Sequence, residues 1–335
     1  MTIDLAFVWA GIIAFAVLAY VILDGFDLGI GILFPAIKNP QDRDTAIDSI
    51  APVWDGNETW LVLGGGGLFA VFPLAYAVVL PALYMPITLM LLALVFRGVA
   101  FEFRHRTVRG RRFWDGAFAG GSMVAALCQG IALGALVQGI HIEGRAYAGG
   151  WWDWLTPFSI LTGLALVAGY ALLGATWLIS KTQDDLQARC FRWALPLGAA
   201  MLAFIVAVSL ATPLLNPVYA ERWFAWPAVL YAAPVPLLVA AVSLAFWRAI
   251  RRRAERLPFL LALALFLLSY IGLGISLYPH IVPPSLTIWD AAAPESSLKF
   301  LLAGGAVLLP IILAYTGYAY WVFRGKVTPG SGYHH

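Results

Sequence analysis

The sequence has very little charge for its length. Asp, Glu, Lys and Arg together make up 12% of its 335 residues, whereas hydrophobic residues make up 61% and the mean hydropathy is +0.83. A soluble domain of this size carries about a quarter charged residues. The scarcity of charge therefore argues against a soluble enzyme or a nucleic-acid-binding protein, and the many uncharged windows of 18 or more residues predict a multi-pass membrane protein.

Histidine and cysteine are also scarce. There are five histidines, namely His105, His141, His280, His334 and His335. None lies in the middle of an apolar segment, where a haem inside the bilayer needs its axial histidine. The two cysteines, in an apolar segment and a polar loop, provide no pair for a disulfide or an iron–sulfur cluster. We therefore expect no redox centre and no metal site built from this chain's own residues.

Nine apolar segments predict nine transmembrane helices in one membrane domain that covers residues 1–335. They span residues 5–34, 53–72, 77–102, 116–139, 155–179, 193–213, 225–247, 258–277 and 298–322. The final GYHH takes no part in this interpretation.

Basic residues occur in alternate connections. Of the 21 Lys and Arg residues, 17 lie in the segments 35–52, 103–115, 180–192, 248–257 and 323–335. The N-terminus and the other four connections hold three, and Arg97 is inside the third span. By the positive-inside rule, this alternation predicts an N-terminus outside the cell and a C-terminus in the cytoplasm.

Two acids interrupt the first apolar segment. In "LDGFDLGIG" (23–31), Asp24 and Asp27 are the only charges between Leu5 and Phe34. Their i, i+3 spacing puts them on one face of a helix. The neighbouring glycines are typical of close helix packing.

A second group of charges comes from the next two segments. "SIAPVWDGNETW" (49–60) carries Asp55 and Glu58, and "FRGVAFEFR" (96–104) carries Arg97 and Glu102. In the predicted topology these residues and the Asp24–Asp27 pair all lie toward the cytoplasmic side. We therefore expect Asp24, Asp27, Asp55, Glu58 and Arg97 to converge.

Charged groups in a bilayer are costly, so they usually face protein or water and often carry function. Buried acids linked by water can carry protons. Two structural alternatives remain open: Asp55 and Glu58 can cap the N-terminus of the second span, and the buried acids can simply pair with Arg97.

Several long motifs resemble subunit II of bacterial cytochrome bd-type quinol oxidases. They are "LDGFDLGIGIL", "SIAPVWDGNETW", "LVFRGVAFEFR", "LVQGIHI", "PSLTIWDAAAPESSL" and "PIILAYTGYAYWVFRGKV", in the family's order along nearly the whole chain. The variant "NET" at 57–59 favours the cyanide-insensitive branch.

The resemblance implies a respiratory enzyme of the bacterial inner membrane that oxidises quinol and reduces dioxygen to water. Subunit I would hold haems b and d, or a b-type haem in place of d, and subunit II none. The implied fold has nine transmembrane helices, as two four-helix bundles plus a peripheral helix. Small accessory subunits, lipids and a structural quinone are further implied partners.

The resemblance also assigns roles to residues. It implies a proton route through Asp24, Asp27 and Asp55 beside Arg97, and it relates Trp60 to a dioxygen path. Two alternatives stay open: a scaffold subunit whose acids only pair and pack, and an ion-coupled secondary transporter, which typically has inverted repeats and broken helices.

Overall fold

The protein is almost entirely helical in a computed structural model that describes residues 4–107 and 109–327. The helices are α1 (Leu5–Leu33), α2 (Pro40–Asp48), α3 (Trp54–Val71), α4 (Pro73–Ala82), α5 (Tyr84–Arg106), α6 (Arg111–Gln138), α7 (Pro157–Lys181), α8 (Asp184–Leu215), α9 (Pro217–Phe224), α10 (Val229–Ala232), α11 (Pro234–Arg251), α12 (Leu257–Leu277), α13 (Ile288–Ala291) and α14 (Glu295–Val322). Two short antiparallel hairpins join β1 (Ile142–Glu143) to β2 (Ala146–Tyr147) and β3 (His280–Val282) to β4 (Leu286–Thr287). His334, His335 and the rest of GYHH lie outside the described residues.

Eight stretches of the described chain are long and apolar enough to cross a membrane. A ninth is obtained if α3 and α4, which are bent by 120° at their junction, count as one span. The number of spans and the all-α class agree with the prediction. The grouping of the helices into two four-helix bundles plus a peripheral helix remains a prediction.

The predicted third span, 77–102, merges two separate helices. The chain breaks at Phe72 and again at Leu83, so that α4 is a short helix of its own and the long helix begins at Tyr84. Prolines explain the breaks, since Pro73 starts α4 and Pro81 lies near its end, and proline removes a helical hydrogen bond. The break at Phe72 agrees with the predicted end of the second span at residue 72, whereas apolar composition continues through Leu83, which is why hydropathy alone missed the second break.

Parts of several predicted polar connections are helical, and two of them extend long helices. α5 continues to Arg106, so His105 lies at a helix end rather than in a loop, and α8 begins at Asp184 instead of near residue 193. Asp184 and Asp185 occupy the first turn of α8, where the helix dipole favours acids.

The five basic segments meet at one end of the molecule. Arg43 pairs with Asp115 at 2.8 Å and Arg189 pairs with Asp42, which joins the first three of these segments. Lys326 pairs with Glu255 at 2.8 Å, which joins the last two. Gln187 donates to the same glutamate and connects the two groups.

The connections that are poor in basic residues meet at the opposite end. There the Ile140 amide donates to the Pro283 carbonyl at 3.1 Å, and the Ala293 amide donates to the Val71 carbonyl at 2.8 Å. The alternation in the sequence therefore corresponds to two opposite ends of the helices. The assignment of the basic end to the cytoplasm remains a prediction.

Glycine contacts place α1 against its neighbours. A Cβ at Gly29 would collide with the Tyr170 carbonyl of α7, and a Cβ at Gly31 would collide with Ser122 of α6. These contacts confirm the close-packing role predicted for the α1 glycines. In the "GGGG" of α3, by contrast, Gly65 and Gly66 have nothing within 4 Å of a built Cβ, so only part of that run packs inward.

Candidate functional site

The acid pair lies in the last third of α1, at the basic end of the molecule. The side chains of Asp24 and Asp27 are fully buried. The glycines around them are the cause, because a Cβ at Gly25 would lie only 2.8 Å from Cε1 of Tyr170. Because glycine has no side chain, α7 can pack directly on this face of α1 and bury the acids.

Arg97 of α5 bridges two of the acids. Its Nη1 donates to Oε1 of Glu58 at 2.6 Å, and its Nη2 lies 3.3 Å from Oδ1 of Asp24. Arg97 is fully buried, whereas the Glu58 side chain is 25% exposed. The guanidinium therefore connects a sealed carboxylate to one that reaches the molecular surface, and the pairing lowers the cost of burying both charges.

Asp27 has a different partner, Asn57 of α3. The buried Asn57 amide donates through Nδ2 to Oδ2 of Asp27 at 2.7 Å and to the Leu23 carbonyl at 3.2 Å. Its Oδ1 accepts a hydrogen bond of 2.9 Å from the hydroxyl of Tyr320, which comes from α14. Neither Asn57 nor Tyr320 was among the residues predicted from the sequence. One signal in the sequence could have indicated Asn57, namely its position inside the helix "WDGNETW". Asparagine is unfavourable in the interior of a helix, so its presence there suggests a hydrogen-bonding role.

A second polar chain lies on the other side of the acids. Gln129 of α6 donates to the Tyr20 hydroxyl at 2.7 Å and accepts from the Tyr170 hydroxyl at 2.8 Å. Tyr20 precedes Asp24 by one helical turn, so the two share a face of α1. These three residues were not predicted either, because lone Tyr and Gln residues in apolar segments carry no spacing signal.

Several buried polar atoms of the acid cluster have no hydrogen-bond partner within residues 4–107 and 109–327. They are both carboxylate oxygens of Asp24, Oδ1 of Asp27, and Nε and Nη2 of Arg97. Buried polar atoms are nearly always satisfied in proteins, so this concentration is unusual. Such atoms can bind water or exchange protons.

The structure thus brings together four of the five predicted residues. Arg97 joins Asp24 and Glu58 directly, and Asp27 lies one helical turn beyond Asp24 with Asn57, the neighbour of Glu58, as its partner, whereas Asp55 is exposed on the first turn of α3. The position of Asp55 agrees with the capping alternative as well as with a role at the mouth of a route. Trp60 is buried against α1, with its ring 5.7 Å from that of Phe15 and edge-to-face with it.

The described histidine side chains lie away from this group. His280 sits in β3 and faces Arg222, whose Nη2 lies 3.3 Å from its Nδ1. Burial and the neighbouring Arg222 lower the pKa of His280, so it is neutral at pH 7 and can accept from the guanidinium. Within the described part of the chain no three His, Cys, Asp or Glu side chains form a group that could hold a metal ion. The prediction that this chain ligates no haem stays a prediction.

Comparison with known proteins identifies the family. The family model for cytochrome bd terminal oxidase subunit II matches residues 5–323. This chain belongs to that family. It is 31% identical to the Escherichia coli K12 cytochrome bd-I ubiquinol oxidase subunit 2, with 97% of this chain and 95% of that protein covered. It is 28% identical to cytochrome bd ubiquinol oxidase subunit 2 of Bacillus subtilis, with 96% of each covered.

The fold has a counterpart among solved structures. A chain of the bd oxidase from Geobacillus thermodenitrificans superposes with a TM-score of 0.77 at 17% identity, over 97% of this chain and 100% of that one. The resemblance read from the motifs is thereby confirmed. As a subunit II, the chain is a multi-pass membrane protein of an oxidoreductase complex that includes a subunit I and haems. Its place in the cyanide-insensitive branch stays a prediction.

Proposed function

We propose that this subunit II stabilises a haem-bearing subunit I in the bacterial inner membrane and delivers cytoplasmic protons to the complex. In this proposal the complex oxidises quinol, as the name ubiquinol oxidase indicates for the relatives, and reduces dioxygen to water. The haems provide the electron-transfer chemistry and are held by subunit I. The donor set of this chain does not suit them, because its described histidines lie at the end of a helix or in the connections between helices.

One observation carries the proposal: Arg97 links the partly exposed Glu58 to the sealed Asp24. A proton that binds to Glu58 neutralises one of the two carboxylates around Arg97. The guanidinium keeps its partner in Asp24, so no charge is left unpaired while the proton is held. The carboxylate oxygens of Asp24 and Asp27 that accept no hydrogen bond are the next acceptors along the route.

Asp55 is the outermost member of the proposed route. It lies one helical turn before Glu58, on the exposed first turn of α3. An exposed carboxylate there attracts protons to the mouth of the route. Because solvent can replace it, we expect Asp55 to matter less than Asp24.

The test compares isosteric neutral variants in the assembled complex. We expect Asp24→Asn and Glu58→Gln to lower turnover per haem by about 100-fold, the low end of what a positioned proton-transfer group contributes. Proton uptake, followed with a pH dye in vesicles, falls in parallel. Glu102→Gln is the matched control, since Glu102 is an exposed acid on α5. Wild-type turnover in Asp24→Asn complexes with full haem content would rule out the proton route.

The scaffold alternative has its own support, because Arg97 joins α5 to both α1 and α3. It predicts that the same variants lose haem or fail to assemble, while each intact complex turns over normally. Haem content per complex therefore separates the two functions.

The transporter alternative is weaker. The bend between α3 and α4 is a broken helix, but it occurs at Phe72, at the far end of α3 from Asn57 and Glu58. Substrate uptake into vesicles by the purified chain alone would revive this alternative.

A further inference from the structure

Tyr320 ties the last helix to the acid cluster. Most of α14 is exposed, and Leu298 is its buried residue. Near its C-terminal end, however, the Tyr320 ring lies 6.4 Å from that of Phe26 and 6.2 Å from that of Trp177, both edge-to-face. These contacts direct the hydroxyl toward Asn57, to which it donates at 2.9 Å.

The Leu23 carbonyl and the Asp27 carboxylate determine the orientation of the Asn57 amide. Both groups are acceptors, so the NH2 group of Asn57 must point toward them. This leaves Oδ1 directed at Tyr320, whose hydroxyl donates to it and holds the amide in that position. The amide therefore presents donors to Asp27, and a flipped amide would present an acceptor to it instead.

We infer that Asn57 and Tyr320 are positioning residues that hold the Asp27 carboxylate in one orientation. The inference rests on the proposed function, in which Asp27 receives protons. Asn57 donates to Oδ2 and leaves Oδ1 unpaired. One oxygen of Asp27 is thus anchored, and the other is left available for a proton.

The hydrogen bonds from Tyr320 to Asn57 and from Asn57 to Asp27 do not carry protons away from Asp27. The hydrogen-bonded connection between Asp27 and Tyr320 runs through Asn57. An amide holds its N–H protons and has no second ionisable site, so it does not relay them. Asn57 and Tyr320 therefore anchor Asp27 without transferring protons toward α14.

Hydrogen bonds between Lys181 and the residues that follow Tyr320 hold the C-terminal end of α14 in place. Lys181, at the end of α7, donates through Nζ to the carbonyls of Phe323 and Gly325, and the Val327 amide donates to the Lys181 carbonyl at 2.8 Å. The position of Tyr320 is therefore set by contacts with both α7 and α1. The acid cluster is incomplete without the last helix.

Other charged or titratable groups also surround Asp27, and the test must separate Tyr320 from them. They are Asp24 on α1, Glu58 on α3, Arg97 on α5, Tyr170 on α7 and Tyr320 on α14. Of these, Tyr320 is the one that acts on Asp27 through Asn57.

The experiment uses Tyr320→Phe in the full oxidase complex, which keeps the ring contacts and removes only the donor. Tyr318→Phe, on the exposed side of the same helix, is the matched control. Infrared difference spectra of complexes labelled with ¹³C-aspartate report the Asp27 carboxyl band, identified by its loss in Asp27→Asn. We expect this band to broaden and shift in Tyr320→Phe and to stay unchanged in Tyr318→Phe.

A double-mutant cycle tests whether Tyr320 acts through Asn57. We expect Tyr320→Phe to lower turnover per haem about three- to tenfold, the range for losing one hydrogen bond. In an Asn57→Ala background it should have no further effect on turnover, its pH profile or the carboxyl band. Asn57→Ala alone must change the band even if Tyr320→Phe complexes assemble poorly.

Two results would overturn the inference: an unchanged Asp27 band in Tyr320→Phe, or effects of the two substitutions that multiply independently. Failure of the proposed function is a different outcome. In that case Asp27→Asn complexes turn over at the wild-type rate, while the band of Asp27 still responds to Tyr320→Phe.

Discussion

Replacing Gly29 by alanine should separate α1 from α7 and disturb the acid cluster. The added Cβ would lie within collision distance of the Tyr170 carbonyl and 2.8 Å from the Gly174 amide nitrogen. Both are backbone atoms, which cannot rotate away as a side chain can. One helix must therefore shift, and the shift moves Asp27, two residues before the substitution.

The magnitude follows from two opposing effects. Overpacking a tight contact costs about 1–3 kcal/mol, whereas alanine in place of glycine inside a helix contributes roughly 1 kcal/mol of helix propensity. We expect a net loss of up to about 2 kcal/mol at Gly29. Gly11 of the same helix is the matched control, because a Cβ there has nothing within 4 Å, so Gly11→Ala should be neutral or stabilising.

The assay is thermal unfolding of the purified complex, with haem retention and turnover per haem as second readouts. Gly29→Ala should unfold at a lower temperature than wild type, and Gly11→Ala should not. Equal unfolding temperatures for the two variants would contradict the close approach of α1 and α7. Normal turnover in Gly29→Ala would show that the geometry of the acids tolerates the shift.

Three further predictions concern single side chains. Arg97→Leu should lower the free energy of unfolding by about 3–5 kcal/mol and reduce the haem content, since it leaves Asp24 buried without a counter-charge. Adding Asp24→Asn should restore part of the lost haem content, and no recovery in the double variant would contradict the pairing. Burial raises the pKa of Asp44, but hydrogen bonds, led by that from Arg111, outweigh burial and lower the pKa below its ordinary value. The stabilisation of the fold by this carboxylate is therefore present above pH ~4 and is lost as the pH falls through the folded pKa. The unfolding temperatures of wild type and Asp44→Asn should accordingly differ at pH 7 and converge in acid. Trp60→Phe tests the dioxygen path: a smaller ring should lower the oxygen concentration needed for half-maximal rate without changing the quinol dependence, and an unaltered oxygen dependence would argue against a role for Trp60.

Local composition was enough to predict the membrane class, the number of spans and the two ends of the molecule. Each of these depends on the sum of many residues, so a single misjudged position changes little. The convergence of Asp24, Glu58 and Arg97 was also predictable, because helix direction and position along a span determine depth in the membrane. Depth in the membrane, however, does not determine which side chains face one another.

Only the tertiary structure decided which of these residues touch. Asp55 and Glu58 are three residues apart, yet the rotation of α3 directs Glu58 to Arg97 and leaves Asp55 exposed. The break at Leu83 was hidden because apolar residues continue across it. Helix rotation and bending depend on packing against neighbours, which hydropathy does not report.

The contact between Tyr320 and Asn57 shows the same division most clearly. These residues are 263 positions apart, and neither charge nor spacing connects them. The sequence alone determined that Asp24 and Asp27 would be buried near one end of α1, because two acids in an apolar span have few other places to go. Which groups hold them there was decided by long-range packing of α3, α5 and α14 around α1, since a hydrogen bond depends on the meeting of two surfaces that no local pattern specifies.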